Sequence, residues 1–168
     1  MIFMSQSGLI DPSRDADWDR WYLEHLRIMA SVNGVESAQR FKTTTPNHSP
    51  SLAMYSMQSA QVFEDPYYLS IRGLGEFREL VDSRYYHRNL FAGLDLAPAI
   101  SPEQVLLVWD VMAPREASGF EFTWLEAVAV DKSTPFRGIA VIDAARVSAV
   151  PAAAGIACYI PVTGVFHT

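Results

Sequence analysis

Cysteine is nearly missing from this chain: Cys158 is the one thiol among 168 residues. No internal disulfide can form. A lone cysteine in the apolar run GIACYIPV fits a reducing compartment, where it serves as a small hydrophobe. Clusters of positive charge are absent too. Lys and Arg number 13 against 19 Asp and Glu, for a formal net charge of −6. Nucleic acids and anionic membrane surfaces both demand a basic face, so neither is an expected partner. No apolar stretch approaches the roughly 20 residues of a membrane span. Met1-Ile2-Phe3-Met4 is apolar but too short, and lacks the basic flank, for a signal peptide. Together these absences predict a cytoplasmic protein.

Several chemical motifs are missing as well. Gly73-Leu74-Gly75 has no preceding strand and no third glycine, so it reads as a helix break and not a phosphate loop. There is no G-x-S-x-G elbow, and Cys158 has no basic neighbour to activate it as a nucleophile. The four histidines, His25, His48, His87 and His167, are scattered, with no H-x-x-x-H or C-x-x-C spacing. No metal and no cofactor are predicted. Haem ligation through His25 alone would need a large cavity beside it.

What is present is an ordinary globular balance, 49% hydrophobic and 19% charged, long enough for one compact domain or two small ones. The clearest pattern runs from Asp17 to Phe41. Trp18, Trp21/Tyr22, His25, Ile28/Met29 and Val32 recur at i, i+3/i+4, i+7, which predicts an amphipathic helix. Asp19, Arg20, Glu24, Arg27 and Ser31 fall on the opposite, solvated face. His25 is therefore a single titratable group amid an aromatic stripe. Asn33-Gly34 stops the helix, and alternation from Val35 begins a strand.

Strands are also predicted at residues 1–7, at Leu52–Gln58, whose two faces are both largely apolar, and at Tyr85–Leu96. Ser59 caps a short helix at 60–64, Asp65-Pro66 opens another that Gly73 ends, and Glu76–Val81 gives a further helical piece. The order is βαββαβ, a ferredoxin-like α+β unit complete by about residue 98. Pro98–Pro102 reads as a boundary, giving a unit at 1–98 and a β-rich C-terminal extension at 99–168. The extension offers strands at Val105–Met112, Gly138–Ala144 and Gly155–Val162, with Phe120–Val130 open between helix and strand. Trp124-Leu-Glu before Gly138-Ile139 and Arg146 echoes Trp21-Tyr-Leu-Glu before Gly34-Val35 and Arg40. On the helical alternative the extension is a truncated second repeat, with Ala127 where His25 stands.

The segments WYLEH, NGVESAQRF, SLAMYSMQS and EDPYYLS resemble small bacterial proteins of the dimeric α+β barrel superfamily, nearest those related to EthD and the antibiotic-biosynthesis monooxygenases. The resemblance covers roughly residues 15 to 80. Asn33 stands where the turn usually has proline, and the C-terminal extension is additional. It implies a ferredoxin-like fold, sheets packed face to face in a homodimer, and a ligand cleft between sheet and helices. It also implies a cofactor-independent enzyme: an isomerase, a lyase or dehydratase, a cyclase, or a cofactor-free monooxygenase.

On that basis His25 is the candidate acid/base, since imidazole exchanges protons near neutral pH. Tyr22, one turn away, is its candidate orienting or substrate-bonding partner. Trp18, Trp21, Tyr67 and Tyr68 would hold a flat hydrophobic substrate of aromatic or lactone type. Tyr86 with Arg88, or Tyr85 with His87, would enter a pocket from one strand face, and Arg88, Arg72 and Arg40 are candidate partners of a carboxylate or enolate. The competing function is a protein that binds a hydrophobic metabolite without turning it over. A cavity beside His25 and a shifted histidine pKa would favour the enzyme.

Overall fold

In the computed structural model, which describes residues 1–116, 119–151 and 154–168, the β-strands close on themselves. The strands are β1 (Ile2–Ser7), β2 (Val35–Lys42), β3 (Ser51–Met57), β4 (His87–Ala92), β5 (Gln104–Val111), β6 (Thr123–Val130), β7 (Phe136–Asp143), β8 (Ile156–Pro161) and β9 (Phe166–His167). Eight of them form a ring in the order β3-β1-β4-β6-β7-β5-β8-β2 and back to β3, every pair antiparallel. The two-residue β9 pairs with β2 beside β8.

This corrects the expected fold class. The molecule is a closed eight-stranded antiparallel barrel, mostly β, and not a ferredoxin-like α+β unit with an appended extension. Strands β5–β8 do not lie over the first four as a separate layer. They zip onto their edges, β6 onto β4 and β8 onto β2. Closure pairs each of the eight ring strands on both sides, which removes the open edges that two stacked open sheets would retain. The truncated-repeat reading falls with it. Phe120–Val130 contributes strand β6 and no helix, and Ala127 packs into the barrel core.

Inside the ring, Ile2, Met4, Phe41, Leu52, Met54, Phe91, Leu106, Val108 and Tyr159 fill the barrel. An eight-stranded barrel is just wide enough for side chains to do so. Polar clamps close it. The Gln39 amide donates to Ile100 O (2.7 Å) and accepts from Ile100 N (3.0 Å), pinning the β4–β5 connection. Arg137, fully buried, donates to both carboxylate oxygens of Asp110 at 2.7 Å and to Gln6 Oε1 at 2.6 Å.

One long helix packs outside the ring. Asp11 caps a 3-10 turn at Pro12–Arg14, which leads into α1 (Asp15–Ala30). Asp15 and Asp17 stand in its first turn, where the helix dipole favours negative charge. The chain leaves at Gly34, whose φ of 85° suits glycine. Trp18, Tyr22, Leu26, Met29 and Ala30 are buried against Phe3, Ala38, Ala53, Tyr55 and Met57 on the outer face of β1, β2 and β3. Asp19 is not on a solvated face. Its carboxylate binds Lys42 Nζ at 2.6 Å and Arg40 at 2.8 Å, tying α1 to β2.

The second helical layer is almost missing. Asp65 caps α2 (Pro66–Ile71) by accepting from Tyr67 N and Tyr68 N, but the helix lasts only six residues. Gly73 and Gly75, at φ 118° and 50°, turn the chain out of helical geometry, and the expected helical piece at 76–81 is reduced to a 3-10 turn at Gly75–Phe77. Across the ring, side chains such as Phe120, Phe122 and Val147 cover the outer face of β5, β7 and β8. No helix among the described residues is long and apolar enough to cross a membrane.

Candidate functional site

The shortness of α2 creates a cleft. With only 66–83 as a thin roof, α1 and the outer face of β1, β3 and β4 leave a hollow of about 660 Å³ between them, within the range that encloses a metabolite-sized ligand. Its floor is Phe3 and Ser5 of β1 and Tyr55 of β3. Trp21, Tyr22, His25 and Met29 of α1 form one wall. Tyr68, Arg72–Gly75, Arg78, Val81 and Ser83 form the roof, and Tyr86 and Arg88 close the β4 side.

His25 is held by rings. Its imidazole lies flat on Trp21 (centroids 4.7 Å, planes 13° apart), and Trp21 lies flat on Trp18 (4.9 Å, 8°). Helical spacing makes that ladder, because positions 18, 21 and 25 share one stripe. Tyr22 meets the imidazole edge-on at 5.8 Å. Among the described residues neither ring nitrogen has a hydrogen-bond partner, which leaves both to a ligand. Burial pushes the His25 pKa from its ordinary 6.5 to about 4, so the ring is neutral at physiological pH and carries one donor and one acceptor nitrogen.

The phenols around it stay protonated. Burial raises Tyr22 and Tyr55, against the pull of the Arg40 guanidinium, whose carbon sits 4.5 Å above the Tyr22 ring. Burial also raises Tyr68 and Tyr86, and Arg88 works against it at both. Arg88 is half-buried. Its backbone N–H donates to Asp131 at 2.7 Å, its guanidinium reaches the same carboxylate only at 3.5 Å, and its shielded Nε has no partner among the described residues.

His25, Tyr22, Trp21, Tyr68, Tyr86 and Arg88 are thus brought together. Of the two strand pairs, Tyr86 with Arg88 lines the cleft, while the His87 ring turns to Arg84 O. Trp18 does not line the cleft; it is 2% exposed and buttresses Trp21 from behind. Tyr67 is 47% exposed, with its hydroxyl 3.4 Å from Ser31 Oγ, so Tyr68 is the ring of that pair that faces the site. Arg40 is buried and anchored by Asp19 and Ser51 instead of lining the cleft. Sequence reasoning missed Phe3, Ser5, Tyr55 and Arg78. No local signal marks Ser5, since β1 ends in the polar run Ser5-Gln6-Ser7.

The other histidines are spent elsewhere: the His48 ring contacts Pro46 O and Gly155 O, and His167 lies in β9. Among the described residues no group of three or more His, Cys, Asp or Glu could hold a metal ion. Cys158 is free, with its thiol pKa raised by burial. No family model, curated protein or solved structure matches the chain.

Proposed function

We propose that the cleft beside His25 is the site of a small-molecule reaction carried by proton transfer, an isomerisation, elimination or cyclisation of a flat hydrophobic metabolite. The observation that carries this reading is a desolvated, unpartnered imidazole at the wall of a ligand-sized cavity. A neutral His25 can take a proton from an acidic C–H or O–H and return it to a neighbouring atom, its flat stack on Trp21 fixing the lone pair's direction. The phenols of Tyr68 and Tyr86, held protonated, are hydrogen-bond donors for the oxygen where charge develops. Oxygenation of an electron-rich phenol without a cofactor would use the same groups.

A second reading has its own support. An imidazole with a pKa near 4 is a weak base at neutral pH, and general-base efficiency peaks when pKa and working pH are close. A protein that only holds the metabolite needs no such match. The two readings separate on His25→Gln, which keeps a polar side chain but shuttles no proton. Thermal-shift screening of aromatic and lactone metabolites supplies the ligand. Proton-transfer catalysis then predicts that turnover falls by about 10²–10⁴-fold with affinity nearly unchanged. Full turnover in His25→Gln ends the catalytic reading.

A further inference from the structure

Among the described residues the cleft is lined by three arginines, Arg72, Arg78 and Arg88, and by no carboxylate. That imbalance runs against the chain as a whole, in which 19 acidic residues outnumber 13 basic ones. We propose that the ligand of this cleft is an anion, a flat apolar body carrying a carboxylate or similar acid group that the roof and β4 arginines hold. This rests on the reading that the cleft is the ligand site, and it adds the ligand's charge.

Four observations support it. Arg72 and Arg78 are exposed at the rim of the hollow and form no ion pair among the described residues. Glu76 and Glu79 lie on the same short segment, yet neither lines the cleft or bridges to them. Elsewhere the chain does pair its arginines at short range, Arg84 with Asp82 at 2.6 Å and Arg137 with Asp110 at 2.7 Å. Arg88 has donors to spare, because Asp131 takes its guanidinium only at 3.5 Å and its shielded Nε is unpartnered. The cations also reach one space: the Tyr68 phenol feels both Arg88 and Arg72. Apolar and aromatic side chains share the lining with them, Phe3 on the floor, Trp21 on the α1 wall, and Leu74 and Val81 on the roof itself. A planar guanidinium matches a carboxylate in geometry as well as charge, and is the usual means of orienting one. The cleft therefore offers cations on the roof and the β4 side together with apolar surface on the floor and the α1 wall, and an amphiphilic anion suits both.

Calorimetric titration with matched probes, 2-naphthoate and 2-naphthamide, tests this on the full chain, because the two share shape and differ in charge. The proposal expects the acid to bind about tenfold tighter or more, with the advantage shrinking at high salt, where exposed charges are screened. Arg72→Gln/Arg78→Gln, at two exposed positions that leave the core intact, should bring the acid close to the amide by weakening the acid more than the amide. An amide that binds as tightly as the acid overturns the anion assignment while the cleft stands as a ligand site. So does an acid advantage that survives both this double variant and Arg88→Gln. Binding of neither probe at millimolar concentration overturns the anion assignment and the ligand-site reading together.

Discussion

His25 takes its properties from its place in the fold, stacked flat on Trp21 at the wall of the cleft and largely buried. The linkage to stability has a definite sign. Folding lowers the His25 pKa from 6.5 to about 4, so within that window the unfolded chain binds the extra proton and the folded chain does not. The His25 contribution is complete above 6.5 and is lost as pH falls toward about 4. Urea midpoints across this window should fall less steeply with decreasing pH in His25→Gln than in the parent chain. Identical slopes would mean that the ring is solvated. The residue was legible in the sequence because one titratable side chain in an aromatic stripe is conspicuous. Its low pKa was not, because desolvation depends on the tertiary packing around the imidazole, which no local pattern announces.

At the scale of elements, the helix that carries His25 follows from periodicity alone: Trp18, Tyr22 and Met29 are buried as the stripe requires. What periodicity misassigned was the far face, where Asp19 serves β2 through Arg40 and Lys42. Charge patterns mark a polar residue but not the cation waiting on another strand. The roof shows the converse. Asp65-Pro66 signalled the helix start and Gly73 its end. What the pattern did not show is that Gly73 and Gly75 both take positive φ and keep the helix from resuming at 76–81, so the cleft has a thin roof. Gly75 is the sharper of the two. At φ 50° it holds the left-handed conformation, and a Cβ there would stand 3.0 Å from Trp21 Nε1. Gly75→Ala should cost about 1–2 kcal/mol and push the indole out of its stack with His25. Loss of ligand affinity beyond the loss of stability, with altered Trp21 fluorescence, checks this; an unchanged Trp21 environment would show that the roof yields instead.

For the whole molecule, alternation identified most strands but not their partners. Apolar residues at every second position say which face is buried, and a stacked second sheet and a closed barrel bury it equally well. Two apolar faces on β3 fit both. What decides for the barrel is long-range pairing, Phe41 with Pro161 and Phe91 with Ala127, across separations no local signal spans. Arg137 is the residue to test for closure, since it joins β7 to Asp110 of β5 and Gln6 of β1 from inside the ring. Arg137→Ala should destabilise by about 2–4 kcal/mol, mostly through the void and the lost partner of Gln6, because Asp110 is open enough to rehydrate. Ligand binding at the proposed cleft, which lies outside the ring, should persist at temperatures where the variant is folded. The location of that binding is the central claim, and the four tryptophans report on it. Trp21 lines the cleft with Trp18 stacked behind it, while Trp109 and Trp124 pack with Phe122 on the far outer face, beside a second hollow of about 570 Å³. In a ¹⁵N-indole spectrum titrated with 2-naphthoate, the Trp21 signal should move most, together with the His25 ring resonances, while Trp109 and Trp124 stay in place. Movement of Trp109 or Trp124 with Trp21 and His25 unmoved would contradict the account.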